Sequence, residues 1–102
     1  MKKTPQIIAL TTLTACLTGC MGPNDFTPSE GMSPADIFSS TCQTCHGENG
    51  AGKFGFLLGI SGTDESMEEI AAKIGEGSTL MPSFPNISDE DRLSIAAYVM
   101  AL

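Results

Sequence analysis

Residues 42–47, Cys-Gln-Thr-Cys-His-Gly, set two cysteines three positions apart, with the only histidine of the 102-residue chain directly behind the second. This pattern constrains the fold more than any other stretch. A metal clip, a redox dithiol and the seat of a covalently attached prosthetic group each demand different surroundings. A structural zinc site needs four ligands, usually Cys and His at recognisable spacings. A thioredoxin-like dithiol sits at a helix start after a strand, within a βαβ unit. The surroundings of Cys42 and Cys45 therefore decide between the three.

The first twenty residues carry Lys2 and Lys3, an uncharged apolar run from Ile7 to Leu17, then a small residue before Cys20. This is the layout of an export signal. Its run of about eleven residues is short of the roughly 20 that span a bilayer as a helix. Leu17-Thr-Gly-Cys20 resembles the lipobox of bacterial lipoproteins, in which the signal is cut before a cysteine that becomes acylated. Leu13-Thr-Ala-Cys16 is a second such box. Cys20 is favoured, because cutting at Cys16 leaves a shorter apolar run and glycine before the cysteine suits the pattern. The expected organisation is thus a lipoprotein signal over 1–19, a lipid-anchored flexible linker over 20–32 and one domain over 33–102. An extended linker of that length, at about 3.1 Å per residue, reaches up to about 40 Å.

Beyond Cys20 only Lys53, Lys73 and Arg92 face all 12 acidic residues, a net charge of −9. Such a surface repels nucleic acid and anionic headgroups and favours partners with a basic docking patch. A domain of roughly 70 residues is marginal without a staple. A disulfide between Cys42 and Cys45 would close too small a loop to supply one.

Three helical stretches follow the linker. In Ser33–Gly47, Ser33 is a good cap, Pro34 suits the first turn and Phe38 shares a face with Cys42. Thr63–Gly77 places Met67, Ile70, Ala71 and Ile74 at i, i+3, i+4 and i+7, with Gly75 and Gly77 as terminators. Ser88–Leu102 repeats that stripe with Ile95, Tyr98, Val99 and Leu102. Between the first two lies a glycine-rich loop. No strand-like alternation appears, so the expected class is all-α.

Zinc then lacks a fourth ligand, and the dithiol lacks its strand. C-x-x-C-H is the signature of covalent c-type haem attachment. Two thioethers from one helical turn reach the two vinyl groups along one haem edge, and the adjacent imidazole reaches the iron. The sixth position calls for another donor. Met32, Met67, Met81 and Met100 are candidates, with Met21 beside the anchor. Met67 and Met100 fall on helices as core filler. Met81 stands in a loop before Pro82, which holds it in extended geometry, and it is the expected distal ligand. Phe38, Leu58, Ile70, Ile74, Ile95 and Val99 are expected as haem walls.

From Ser33 to Leu102 the chain resembles the small class I c-type cytochromes. The shared pieces are Phe38 four residues before the haem motif, Cys42–Gly47, the glycine-rich turn Gly47–Gly52, the run Ile70–Phe84 with its Met-Pro, and the last helix with Tyr98. The resemblance implies that Tyr98 packs across the first helix, and that Gly or Ala stands at the helix crossing, here Ala35 beside Pro34. It also implies a proline after the glycine-rich turn, whose carbonyl orients the proximal imidazole. This chain has Lys53–Gly59 there and no proline.

The resulting expectation is one covalent haem c on Cys42 and Cys45, with iron between His46 and Met81 and no open position for a substrate. Methionine favours ferrous iron relative to bis-histidine ligation. The function expected is a one-electron carrier, not an enzyme, exported and anchored through Cys20 on the extracytoplasmic, periplasmic side of a bacterial membrane. Its partners would be redox proteins, with no nucleic acid and no small-molecule substrate. A dedicated electron-transfer subunit of a larger oxidoreductase, or a haem-based sensor, are the alternatives.

Overall fold

The computed structural model describes residues 22–54 and 57–102. The signal segment, Cys16, Cys20 and Met21 lie outside the described residues. Among these residues the chain is helical, with one isolated bridge between Lys53 and Leu57.

The first helical stretch is one rod in three pieces. Helix α1 (Pro34–Ile37) continues through a π-helical segment (Phe38–Cys42) into α2 (Gln43–His46). Ser33 caps it, its hydroxyl accepting from the Asp36 N–H at 3.1 Å, and Pro34 occupies the first turn, where its missing N–H costs nothing. Gly47, at φ 78°, stops it. A short 3₁₀ turn (Glu48–Gly50) follows.

Helix α3 (Met67–Glu76) begins later than the sequence pattern predicts. Ser66 forms a full capping box with Glu69, whereas Thr63 spends its hydroxyl on the Glu65 N–H in a local turn. Gly75 does not end this helix. It lies inside it, where an added Cβ would sit 2.6 Å from Arg92 Nη1. Glycine here lets the guanidinium of the next helix lie across α3. Gly77, at φ 73°, makes the stop.

Helix α4 (Asp89–Met100), capped by Ser88, packs against both α3 and α1. The core is Ile37 and Phe38 from the first rod, Ile70 and Ile74 from α3, Ile95, Ala96 and Val99 from α4, and Phe84 and Ile87 from the α3–α4 connection. Phe38 and Tyr98 rings meet at 5.4 Å with a tilt of 56°, within the range favoured for aromatic pairs. Ala35 is exposed, and the first rod meets the core through Ile37 and Phe38 instead.

The segment expected as a flexible linker is not free over its described part. Burial alternates from Gly22 to Ser29, with Asn24, Phe26 and Pro28 turned inward and Pro23, Asp25, Thr27 and Ser29 outward. The Asn24 N–H donates to the Ser83 carbonyl at 2.8 Å, and Asn86 Nδ2 donates to the Asp25 carbonyl at 3.1 Å. Phe26 and Met32 pack against the core. Phe26 and Met32 together with these two hydrogen bonds dock a stretch whose composition is that of a spacer.

Candidate functional site

A crevice of about 690 Å³ opens between the first rod, α3, α4 and the two long loops. Phe38, Leu58, Ile70, Ile74, Ile95 and Val99, the six apolar walls expected from the sequence, all line it. So do Cys42, Cys45 and His46 at the end of the first rod, and Met81 in the α3–α4 loop. Local physics brings each of these groups here.

The cysteines differ in setting. Burial pushes the Cys42 thiol up to about 11, and neighbouring Cys45 adds to the effect. Cys45 is exposed. Reactive dithiols work the other way, through a depressed thiol pKa in electropositive surroundings. Cys42 is therefore poorly built as the attacking thiol of a disulfide exchange. Zinc fares no better, since the described residues hold no cluster of three His, Cys, Asp or Glu side chains.

His46 is held by the glycine-rich loop. The Gly52 N–H donates to the His46 carbonyl at 2.6 Å, and Lys53 and Leu57 exchange two backbone hydrogen bonds of 2.7 and 2.9 Å. That small hairpin delivers Leu58, whose carbonyl lies 2.7 Å from His46 Nδ1. With Nδ1–H as the donor, Nε2 keeps the lone pair. Leu58 holds φ 60°, a left-handed conformation uncommon for a bulky residue. The carbonyl that a proline was expected to supply thus comes from a strained leucine, a role with no signature in the sequence.

Gly47 and Gly52 make the close stacking of this loop possible. A Cβ on Gly47 would run into the Gly52 backbone, and one on Gly52 would come 2.6 Å from the Leu57 carbonyl and 2.9 Å from Gly59 N.

Met81 is the one methionine of the described residues that lines the crevice. Met32 and Met67 pack against the core elsewhere, and Met100 is half exposed. Ser78 N–H donates to the Met81 carbonyl at 2.8 Å, and the Ser78 hydroxyl accepts from Met81 N–H at 3.3 Å. Gly77 lies under this loop, with space for a Cβ denied by the Met81 carbonyl and Ser83 N. Lys73 and Glu65, which form an ion pair, also border the crevice, as does Asn24. The sequence reading missed Asn24, because a polar residue between two turn formers carries no periodic signal.

The family described as cytochrome C oxidase, cbb3-type, subunit III matches residues 29–99, most of the described domain. The chain belongs to this family of c-type cytochrome domains. Covalently bound haem c is accordingly its cofactor, and electron transfer its general role. A curated relative, cytochrome c-550 of Bacillus subtilis (strain 168), is 41% identical over 51 residues. That alignment covers 50% of this chain and 42% of the relative, so the match spans less than half of the curated protein. No solved structure matches the chain significantly. Domains of this class are typically extracytoplasmic, and no helix among the described residues is long and apolar enough to cross a membrane.

The crevice suits a haem of this kind. It is walled by apolar side chains, offers two thiols one helical turn apart on the same rod, and has an imidazole whose second nitrogen is already bonded.

Proposed function

We propose that Cys42 and Cys45 carry the haem thioethers, that His46 Nε2 and Met81 Sδ are the axial ligands, and that the domain is a one-electron carrier tethered to a membrane through acylated Cys20. The observation that carries this reading is that Met81, in the α3–α4 loop, lines the same crevice as His46 at the end of the first rod. When bound, the haem supplies a reversible ferric–ferrous couple. The chain's own residues then have three tasks. The Leu58 carbonyl fixes the imidazole tautomer and raises its basicity as a ligand. The apolar walls exclude water and disfavour the extra charge of the ferric state. Met81, a soft donor, further favours the ferrous state.

Two axial side chains leave no place for a substrate, which is why a carrier is favoured over an enzyme or a gas sensor. The anchor rests on the Leu17–Cys20 lipobox after a basic start and an apolar run. The net acidic surface fits redox partners with basic docking patches.

The family takes its description from an oxidase subunit, and this favours a second reading, a dedicated electron-entry subunit of a larger assembly. Isolation from the native membrane in mild detergent separates the two: a carrier comes away alone, a subunit brings its complex.

The decisive experiment is Met81→Ala in the mature holoprotein. Haem stays attached, the far-red absorption of sulfur-ligated ferric haem disappears, the potential falls and ferrous iron binds CO readily. An unchanged ferric spectrum removes Met81 from the ligand set.

A further inference from the structure

The loop after α3 has few means of holding itself. Pro82 and Pro85 provide no N–H, so part of its hold must come from outside. On one flank the rest of the domain does this. The Phe84 N–H donates to the Ile74 carbonyl at 2.9 Å and Arg92 Nη2 donates to the Phe84 carbonyl at 3.1 Å, in addition to the pairing of Ser78 with Met81 inside the loop.

The other flank is held by the N-terminal segment. The Asn24 N–H donates to the Ser83 carbonyl, two residues beyond Met81. Asn24 Oδ1 accepts from the Phe26 N–H at 2.8 Å, which locks the local turn, and Phe26 is packed against the core. Asn86 Nδ2 closes the arrangement on the Asp25 carbonyl. Asn24 itself borders the crevice together with Met81 and Pro82.

We propose that residues 22–28 form a strap that clamps the Met81 loop and sets how firmly the sulfur stays on ferric iron, with Asn24 and Asn86 as positioning residues. The inference rests on Met81 being the distal ligand. A thioether is a soft donor and a weak partner for ferric iron. Its residence there depends on how rarely the loop swings outward, a local opening governed by the contacts that must break. The strap supplies two such contacts from the far end of the domain sequence.

The test uses mature holoprotein with Asn24→Pro, which deletes the donor to Ser83, and Asn86→Ala, which releases the strap while leaving its backbone intact. Glu30→Gln, an exposed change, is the control. Ferric protein is mixed with imidazole, and loss of the far-red sulfur band is followed in time. The band is expected in all four proteins at neutral pH. Sulfur displacement is expected about tenfold faster in Asn24→Pro, the factor equal to about 1.4 kcal/mol, within the range for the two hydrogen bonds the change removes, the one donated to the Ser83 carbonyl and the one accepted from the Phe26 N–H. Asn86→Ala should show a smaller acceleration and Glu30→Gln none.

Displacement at the unmodified rate in Asn86→Ala and Asn24→Pro overturns the strap while leaving Met81 as ligand. Absence of the band in the unmodified protein overturns the ligand assignment and the strap with it. Where Asn24→Pro does not fold, Asn86→Ala alone decides.

Discussion

Gly52→Ala is the sharpest probe of how the glycine-rich loop serves His46. Gly52 has φ +87°, and holding an L residue in left-handed backbone costs about 1–2 kcal/mol. The added Cβ would also stand 2.6 Å from the Leu57 carbonyl and 2.9 Å from Gly59 N. Both neighbours are backbone, so the hairpin itself must yield. Disrupting its two Lys53–Leu57 hydrogen bonds removes about 1 kcal/mol each. The total is about 3–4 kcal/mol. Gly62→Ala is the matched reference, because Gly62 has φ +76° but nothing within 4 Å of the new Cβ. Only the conformational cost of about 1–2 kcal/mol applies there. Urea titration of the two holoproteins, followed by far-UV circular dichroism, should separate them by about 2 kcal/mol. For a domain this size, that is roughly 8–16 °C in Tm. Because the displaced hairpin carries the Leu58 carbonyl, the midpoint potential should also move in Gly52→Ala and stay put in Gly62→Ala. Equal losses in the two variants, with equal potentials, would refute the close-stacking argument.

Three further outcomes are expected. The backbone hydrogen bond to Ser66, then the bond to its side chain, lower the Glu69 carboxyl below the ordinary glutamate range. A depressed acid stabilises the fold above its unfolded pKa and loses that contribution as pH falls through the folded one. The stability gap between unmodified protein and Glu69→Gln should therefore be open at neutral pH and close in acid, as read from urea midpoints at several pH values. Phe38, 2% exposed and paired with Tyr98, should lose about 3–5 kcal/mol on truncation to alanine, measured by the same titration. Cys20→Ala should move the haem protein from the membrane pellet to the soluble fraction while it remains red; retention in the pellet removes the lipid anchor.

The sequence made the helices legible because their signals are local. Ser33 and Ser88 cap two of them, and Ile70, Ile74, Ile95 and Val99 repeat at helical spacing, whereas the Ser66 cap that starts α3 did not show against Thr63. Four of the crevice walls, Ile70, Ile74, Ile95 and Val99, followed from those stripes, since apolar faces on short packed helices have one interior to share. What escaped were features set by tertiary contact. The His46 acceptor is a main-chain carbonyl, and any residue can present one, so Leu58 gave no sign. Gly75 reads as a terminator in one dimension, yet in three it is clearance for Arg92. The docked segment from Gly22 to Pro28 has the composition of a spacer, and only its contacts with Ser83 and Asn86 give it a structure.

That docking also sets a working height. Asn24 is four residues past Cys20, and a fully stretched chain covers at most about 3.6 Å per step. With Cys20 acylated, the rim of the crevice hangs on a leash of roughly 15 Å instead of a long swinging arm. Electron exchange would then take place close above the lipid, with partners whose own redox ports lie at that level.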